Sequence, residues 1–239
     1  DNETPLAPLR DVVLGRIGEV VRGGRFILGP EVEAFERELA SYLGVSHVVG
    51  VANGTDALAI ALRAVGVSPG DEVVVPSFTF YATAEAVASI GARPVFCDVD
   101  FDTRNVTADT VRAALTPSTR AVIAVDLFGS PAAVESIREL GVPVVEDAAQ
   151  AVGASLAGRR AGALGDVATL SFYPSKNLGC FGDGGAIATN DLELAERARA
   201  LRFHGSRDKR TFEYVGYNSR LDELQAAVLR VLLAELERW

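Results

Sequence analysis

From residue 47 onward, short runs of apolar residues alternate with longer segments in which apolar residues recur at helical spacing. This alternation is typical of β-strands connected by crossover helices. Seven runs are predicted to be strands: HVVGVAN, DEVVVPSF, RPVFCDVD, AVIAVDLF, PVVEDA, DVATLSFY and GAIATN. Because several of these runs are apolar throughout, we expect helices to cover both faces of the sheet. The pattern therefore predicts an α/β fold.

Helical segments separate the predicted strands, and the clearest are TDALAIALRAVG, YATAEAVASIG and PAAVESIREL. Upstream, GPEVEAFERELASYLG predicts a helix leading into the domain, because proline stands in its first turn and glycine closes it. The connections are short, without a low-complexity linker or an internal repeat. One large domain is expected over residues 1–205. A polar loop and an amphipathic helix that runs to the last residue are expected over residues 206–239.

Composition limits the binding partners and the cellular compartment that are expected. Hydrophobic residues make up 49% of the 239 residues, which is ample for one core. The formal net charge is −9 and basic residues do not cluster, so nucleic acid is not expected as a partner. Cys97 and Cys180 lie far apart without CxxC spacing, so neither a disulfide framework nor a metal site is expected, and a reducing cytoplasm is the expected compartment. Neither a membrane-spanning run nor a signal peptide is expected.

Ligands of parallel α/β sheets gather beyond the carboxyl ends of the strands, and four such places here carry chemically useful side chains. The first is the turn Asn53-Gly54-Thr55, which connects a strand to a helix. It offers free backbone N–H groups, a hydroxyl and the positive end of a helix dipole, all of which suit a phosphate. Taken alone, Thr55 is better explained as an ordinary N-cap.

The second place is PVVEDAAQ, where a buried strand ends in Glu146 and Asp147, with Gln150 three residues later. Adjacent residues on a strand point to opposite faces, so only one of the two carboxylates can enter a given site. A buried aspartate needs a cation or strong donors, because an unpaired charge is costly there. For an isolated Glu-Asp pair, a carboxylate that caps the next turn is the favoured alternative.

The third place is PSFTFYATAEA, which puts Phe78, Phe80 and Tyr81 where a strand gives way to a helix. Aromatic residues at such positions usually belong to the core. One that faces the ligand side would instead supply a flat surface for stacking on a planar ring.

The fourth place is SFYPSKNLGCFGDGGAIATND, in which Ser171, Lys176 and a glycine-rich run follow an apolar strand. An amine in a partly desolvated pocket loses proton affinity and can form a Schiff base with a carbonyl compound. The glycines would let the backbone pass close to the lysine and its ligand. For this segment alone, a surface lysine on a loop is the simpler interpretation.

Together, the four places describe one ligand, because they supply a phosphate cradle, a stacking surface, a carboxylate for a ring nitrogen and an amine for an aldehyde. Pyridoxal phosphate carries all four complementary groups. The segments NGTDAL, PSFTFYATAEA, EDAAQAVGA, SFYPSKNLGCFGDGGAIATND and GYNSRLDELQAA, in this order, resemble the DegT/DnrJ/EryC family of sugar aminotransferases. The resemblance implies the three-layer fold of the aspartate aminotransferase large domain, with a mostly parallel mixed sheet. It covers the chain from GRFILGPEVEAFE to the C-terminus.

The resemblance also implies roles for individual residues. Lys176 would be the Schiff-base lysine and the proton carrier of the 1,3-shift, and Asp147 would keep the pyridine nitrogen protonated while Glu146 points away. Gln150 would contact the phenolic oxygen of the ring, and Asn218 would reach the phosphate of the neighbouring subunit, which implies a homodimer with shared active sites. The remaining cofactor-binding positions are Phe80, which would stack on the ring, and Gly54, Thr55 and Ser171, which would bind its phosphate.

The activity that the resemblance implies is amine transfer from an amino acid, with glutamate as the expected donor, to a keto group of a nucleotide-linked sugar. A 3-keto sugar is favoured over a 4-keto sugar. One alternative is a pyridoxamine-phosphate-dependent sugar dehydratase of the same family, but those members carry histidine in place of the lysine at 176. Another is a non-catalytic binding or regulatory protein, since the family continues beyond the last helix into a smaller C-terminal domain that these 239 residues do not include.

Overall fold

A computed structural model describes residues 3–239 of the chain. The helices are α1 Glu3–Leu6, α2 Arg10–Gly23, α3 Pro30–Leu43, α4 Gly54–Ala64, α5 Ala82–Ser89, α6 Ala108–Ala114, α7 Val134–Arg138, α8 Leu192–Arg202 and α9 Glu223–Leu233. The strands are β1 His47–Val51, β2 Glu72–Pro76, β3 Arg93–Cys97, β4 Thr119–Val125, β5 Val144–Asp147, β6 Ser155–Leu156, β7 Arg159–Arg160, β8 Val167–Ser171 and β9 Gly185–Thr189. Short 3₁₀ turns cover Ala7–Leu9 and Leu127–Gly129.

Seven of the strands form one sheet in the order β1-β9-β8-β5-β4-β2-β3. The pairs β8–β5, β5–β4, β4–β2 and β2–β3 are parallel, whereas β9 runs antiparallel to both of its neighbours. The sheet is therefore mixed and mostly parallel, and all seven predicted strands are confirmed. The short hairpin of β6 and β7 was not predicted, because two-residue strands leave no periodic pattern.

Helices cover both faces of the sheet and make three layers. On one face, side chains from α4, α5 and α8 pack against alternate strand residues such as Val49, Val73 and Ile123. On the other face, α3 and α9 pack against β1, β8 and β9, while α6 and α7 cover the strands at the other end of the sheet. Because successive strand residues alternate between the two faces, each strand contributes to both cores.

The predicted entry helix corresponds to α3. Its first residue is Pro30, which has no N–H to leave unsatisfied, and Gly44 closes it in the left-handed conformation with φ of 74°. The buried carboxylate of Glu223 accepts the first-turn N–H groups of Glu31 at 2.9 Å and Val32 at 3.0 Å. This contact ties the start of α9 to the start of α3.

The last helix is shorter than predicted. α9 ends at Leu233, and turns replace the helix over the following residues. Its apolar face packs against α2 and α3, and Leu229 and Leu232 are buried in the core that these helices share with the sheet. The boundary expected after residue 205 stays a prediction. Among the described helices, none combines the length and the apolar character needed to cross a bilayer.

Candidate active site

A cavity of about 650 Å³ opens at the carboxyl ends of β1, β4, β5 and β8. This volume suits a small-molecule ligand. The side chains and backbone that surround it come from all four places predicted from the sequence. The polar and charged residues of the lining are Asn53, Thr55, Asp56, Thr79, Glu85, Asp147, Gln150, Thr169, Ser171, Tyr173, Ser175, Lys176 and Asp183.

The turn between β1 and α4 is built to bind an anion. Asn53, not Thr55, caps α4, since the Asn53 side chain accepts the N–H of Asp56 at 2.8 Å. The Thr55 hydroxyl is therefore not needed for capping, so the alternative role weighed for it is wrong. The N–H groups of Gly54 and Thr55 belong to the first turn and have no intrahelical acceptor. With the helix dipole behind them, these groups form a cradle for a phosphate.

Two close backbone approaches shape this cradle. A Cβ at Gly54 would lie 2.7 Å from the Ser171 Cβ, and a Cβ at Gly185 would lie 2.5 Å from the backbone carbonyl of Asn53. Contacts below 3.0 Å essentially never occur at real Cβ atoms. Only glycine therefore lets β8, β9 and the Asn53–Thr55 turn meet, and this meeting brings the Ser171 hydroxyl to the phosphate cradle.

Asp147 lies at the end of β5 and is 6% exposed. Its carboxylate accepts the Ala149 N–H at 3.2 Å and the Thr83 hydroxyl at 3.4 Å. Burial raises the pKa of Asp147, and the Ala149 N–H, the positive charge of Lys176 and the Thr83 hydroxyl oppose the rise. Asp147 is thus a buried carboxyl that a protonated ring nitrogen would complement.

Lys176 is half-buried and lines the cavity. It lies in a loop that folds back on itself, with its N–H donating to the Tyr173 carbonyl at 2.8 Å. At Gly179 a Cβ would lie 2.6 Å from the carbonyl oxygen of Pro174. These contacts fix the backbone on both sides of the lysine. Lys176 is also the one Lys, Arg or His among the described lining residues, whereas the lining contains four acidic residues, Asp56, Glu85, Asp147 and Asp183.

Gln150 lines the cavity in an orientation that a backbone contact determines. Its side-chain oxygen accepts the Phe128 N–H at 2.8 Å. The amide nitrogen of Gln150 remains available as a donor, as a contact with an anionic ring oxygen requires. Phe128 has a φ of 57°, a left-handed conformation that is uncommon outside glycine.

The three aromatic residues predicted near the site occupy different environments. Phe80 lines the cavity and is 71% exposed. Tyr81 is 73% exposed, and Phe78 stands with its ring edge-on to that of Phe128, with 6.3 Å between the ring centroids. Of the three, Phe80 is therefore the one whose position suits stacking on a ligand. None of them belongs to the buried core of the described chain.

Asn218 lies outside the cavity lining. It is exposed and pairs with Phe203 in an isolated antiparallel bridge. Within one chain, the structure does not bring Asn218 together with the other predicted site residues.

Glu146 points away from the cavity, on the opposite face of the sheet from Asp147. It is fully buried and accepts three backbone N–H groups, from Gly162 at 2.6 Å, Leu164 at 2.7 Å and Gly165 at 2.9 Å. The strand periodicity therefore separates the two carboxylates as expected, and Glu146 holds a turn beneath the sheet.

The sequence did not predict the roles of three polar residues near the site. Thr83 donates to Asp147, Thr79 contacts Thr83 at 3.0 Å between hydroxyl oxygens, and Asn53 caps the phosphate cradle. The segment PSFTFYATAEA contains both threonines, but the sequence analysis assigned roles only to its aromatic residues. No periodic pattern signals this pair, because Thr79 lies in the bend before α5 and Thr83 lies in the first turn of α5.

These groups fit pyridoxal phosphate. The cradle at α4 offers N–H and hydroxyl donors without a side chain to fill it, Asp147 offers a buried carboxyl, and Lys176 offers an amine held between fixed backbone contacts. Among the described residues, no group of His, Cys, Asp and Glu side chains is arranged to hold a metal ion.

Among known proteins, the chain is similar to transaminases. The chain is 51% identical to the dTDP-3-amino-3,4,6-trideoxy-alpha-D-glucose transaminase of Streptomyces venezuelae, an alignment that covers 99% of this chain and 66% of the relative. The crystal structure of S. venezuelae DesV in complex with a ketimine intermediate superimposes with a TM-score of 0.97 at 51% identity, covering 100% of this chain and 66% of that chain. Bacillus subtilis NtdA with bound cofactor PMP gives a TM-score of 0.89 at 36% identity, covering 95% of this chain and 53% of that chain.

The chain thus spans just under two thirds of the length of the transaminase that it matches. The likeness to aminotransferase structures confirms the predicted fold, a three-layer large domain of the aspartate aminotransferase type. The family model for DegT/DnrJ/EryC1/StrS aminotransferases matches residues 10–239. The chain therefore belongs to the DegT/DnrJ/EryC1/StrS aminotransferase family.

Proposed function

We propose that the protein is a transaminase that moves an amino group from an amino acid to a keto group of a nucleotide-linked sugar. The observation that carries the proposal is that a half-buried Lys176, a buried Asp147 and the anion cradle at the start of α4 all line one cavity. The sugar dehydratase alternative implies histidine at position 176, so Lys176 speaks against it.

The cofactor predicted from the sequence is confirmed by the family and by the PMP-bound neighbour: pyridoxal phosphate or its amine form. When bound, this cofactor supplies an aldehyde and an electron-withdrawing ring. Gly54, Thr55 and Ser171 are the proposed phosphate ligands. Phe80 is the proposed stacking partner of the ring, and the Gln150 amide is the proposed donor to its phenolic oxygen.

Asp147 and Lys176 have different proposed roles in the reaction. Asp147 would hold the proton of the ring nitrogen in a hydrogen bond to its carboxylate, because a buried carboxylate needs a partner of this kind. Lys176 Nζ would hold the cofactor at its carbonyl carbon, and the same amine would serve as the base and then the acid that carries a proton during amine transfer. Because Asp147 is buried, little water would screen the attraction between its carboxylate and a protonated ring nitrogen.

The substrate class rests on the relatives. The S. venezuelae relative is named a transaminase of a sugar with its amine at carbon 3. We infer a 3-keto sugar carried on a nucleoside diphosphate as acceptor and L-glutamate as donor. The open side of the cavity, lined by Tyr173, Ser175 and Asp183, is where such an acceptor would approach.

Adding pyridoxal phosphate and then L-glutamate to the purified chain tests this function. We expect a visible absorption band on binding the cofactor and its conversion to the amine form on adding glutamate, because the residues proposed for the first half of the reaction lie within this chain. A 3-keto nucleotide sugar should restore the original band, whereas a 4-keto nucleotide sugar should restore it more slowly. Absence of any band with the cofactor would contradict the proposal.

We further propose that the protein is a homodimer with shared active sites. Phe80 lines the cavity, and Tyr81 and Phe128 are each next in sequence to a lining residue; the three side chains are 71%, 73% and 74% exposed. Aromatic surface of this extent beside a site favours an interface with another chain. Asn218, exposed and outside the cavity of its own chain, would then reach the phosphate bound by the partner.

Mixing inactive variants tests the sharing. Neither Lys176→Ala nor Asn218→Ala should support amine transfer alone. After unfolding and refolding an equal mixture, half of the dimers should be mixed, each with one intact site, so about a quarter of the parental activity should return. Recovery no greater than the sum of the two variants, with sizing that shows a dimer, would contradict sharing across the interface.

A further inference from the structure

Asp126 follows β4 and is fully buried, yet none of the roles described above uses it. Its N–H donates to the Asp147 carbonyl at 3.0 Å, and its own carbonyl accepts the N–H of Gly129 at 3.2 Å. Its side-chain oxygen Oδ1 accepts the N–H of Ala132 at 2.8 Å. Asp126 therefore holds the turn over residues 126–132 at three points.

The other oxygen of this carboxyl, Oδ2, is buried without a hydrogen-bond partner among the described residues. The charged groups that face Asp126 are Glu146 and Asp147, both on β5, and among the described ion pairs none includes Asp126. Burial raises the pKa of Asp126 to about 9, and the negative charge of Glu146 adds to the rise while the Ala132 N–H opposes it. An ionised, buried carboxylate near two other acidic groups destabilises the fold, and protonation removes this destabilisation.

Of the Asp126 and Glu146 carboxyl groups, Asp126 is the better place for a proton, because it accepts fewer backbone N–H groups. Glu146 accepts three backbone N–H groups, whereas the Asp126 carboxyl accepts one. A protonated Oδ2 would donate to the Glu146 carboxylate and satisfy the oxygen that otherwise has no partner.

The turn that Asp126 holds reaches the active site. Phe128, at the centre of this turn, donates its N–H to the Gln150 side-chain oxygen at 2.8 Å. At Gly129 a Cβ would lie 3.3 Å from the Gln150 carbonyl, so the turn also rests on the Gln150 backbone. Moving the turn would release the Gln150 amide from its orientation toward the cavity.

We propose that Asp126 is a positioning residue that stays a neutral carboxylic acid, holds the 126–132 turn, and through Phe128 fixes the Gln150 amide toward the cofactor. The Gln150 step rests on the proposed function, whereas the neutral acid does not. Asp126→Asn imitates the neutral acid, since its amide can accept from Ala132 and donate to Glu146. Asp126→Ala removes both contacts.

The pH dependence of unfolding tests the neutral acid in the chain without cofactor. Unfolding releases Asp126 to an ordinary carboxyl pKa, so between pH 5 and pH 8 the unfolded chain binds fewer protons and the parent loses stability as pH rises. Asp126→Asn lacks this loss. The folding equilibrium constant of Asp126→Asn should therefore rise relative to the parent about tenfold for each pH unit.

The matched control is Asp109→Asn, because the Asp109 side chain is 91% exposed on α6. Its stability profile from urea unfolding should run parallel to that of the parent. A profile of Asp126→Asn that also runs parallel to the parent would show that Asp126 is ionised in the folded chain and would overturn the proposal.

Cofactor binding tests the route to Gln150. Asp126→Ala should weaken pyridoxal phosphate binding about fivefold, the effect of one net hydrogen bond, whereas Asp126→Asn should stay close to the parent. In a Gln150→Ala background, Asp126→Ala should have no further effect on the dissociation constant. Independent, multiplying effects would overturn the route through Gln150.

The two proposals fail in different ways. A parent chain that does not bind pyridoxal phosphate would contradict the proposed function and the Gln150 step, and the unfolding profiles would still decide the neutral acid. If the parent binds pyridoxal phosphate but Asp126→Ala weakens binding by the same factor with and without Gln150, the proposed function stands and the route from Asp126 through Gln150 is overturned. If Asp126→Ala does not fold, Asp126→Asn still decides the protonation state.

Discussion

Lys176→Ala is expected to bind pyridoxal phosphate without bonding to it and to lose amine transfer by about 10³-fold or more. The phosphate cradle at Gly54 and Thr55 and the carboxyl of Asp147 do not depend on the lysine, so binding persists. The variant lacks both the amine that binds the cofactor carbonyl and the group that moves the proton. Borohydride reduction followed by peptide mapping measures the bond, and the spectral response to glutamate measures the transfer.

The sequence offers a matched control, because it contains only two lysines, Lys176 and Lys209. The Lys209 ammonium lies 5.1 Å from the centre of the Phe203 ring, and Lys209 does not line the cavity. Lys209→Ala should therefore keep the label and the transfer. Label on the peptide that contains Lys209, or unchanged transfer by Lys176→Ala, would refute the role assigned to Lys176.

Asp147→Asn is expected to lower amine transfer by about 10²- to 10³-fold, because the amide cannot share a proton with the ring nitrogen and the ring then stabilises less of the developing negative charge. The amide is nearly the same size as the carboxyl, so the contacts with Thr83 and Ala149 can persist. Single-turnover conversion of the bound cofactor by glutamate measures the loss.

Measuring the stability of Asp147→Asn shows whether its loss of amine transfer is caused by unfolding. In the chain without cofactor, burial raises the pKa of Asp147, so the parent loses stability as pH rises above the ordinary carboxyl range of about 4. Asp147→Asn cannot ionise and should gain stability relative to the parent from pH 5 to pH 8. An Asn variant that is less stable than the parent throughout this range, or one with unchanged transfer, would contradict the role.

Much of the fold could be predicted from pattern alone. All seven strands of the main sheet were predicted because each is a short apolar run between turn residues, and the limits of α3 followed from Pro30 and Gly44. The end of the last helix was predicted too late, since apolar spacing persists past Leu233 where the backbone already turns. Periodicity reports which face is apolar, but it does not report which carbonyls are satisfied.

The candidate site was predicted less completely. Lys176, Asp147 and Gln150 were predicted from their places at or after the ends of strands, and all three line the cavity. Thr83 was missed because a threonine in a helix carries no signal of its own. Asn53 and not Thr55 proved to be the cap of α4, a choice that depends on backbone dihedrals rather than on residue type.

The sequence by itself determined the order of strands and helices, the separation of Glu146 from Asp147 on opposite faces, and the chemical groups available to a cofactor. All three follow from local rules, because periodicity, alternation along a strand and residue type involve single residues or residues close in the chain. Only the tertiary structure decided that Gly185 lies against Asn53 and that Asp126 lies unpaired beside Glu146. These contacts join residues 20 or more positions apart. The spatial order of the strands within the sheet and the packing of helices on it bring them together, and no local pattern encodes either.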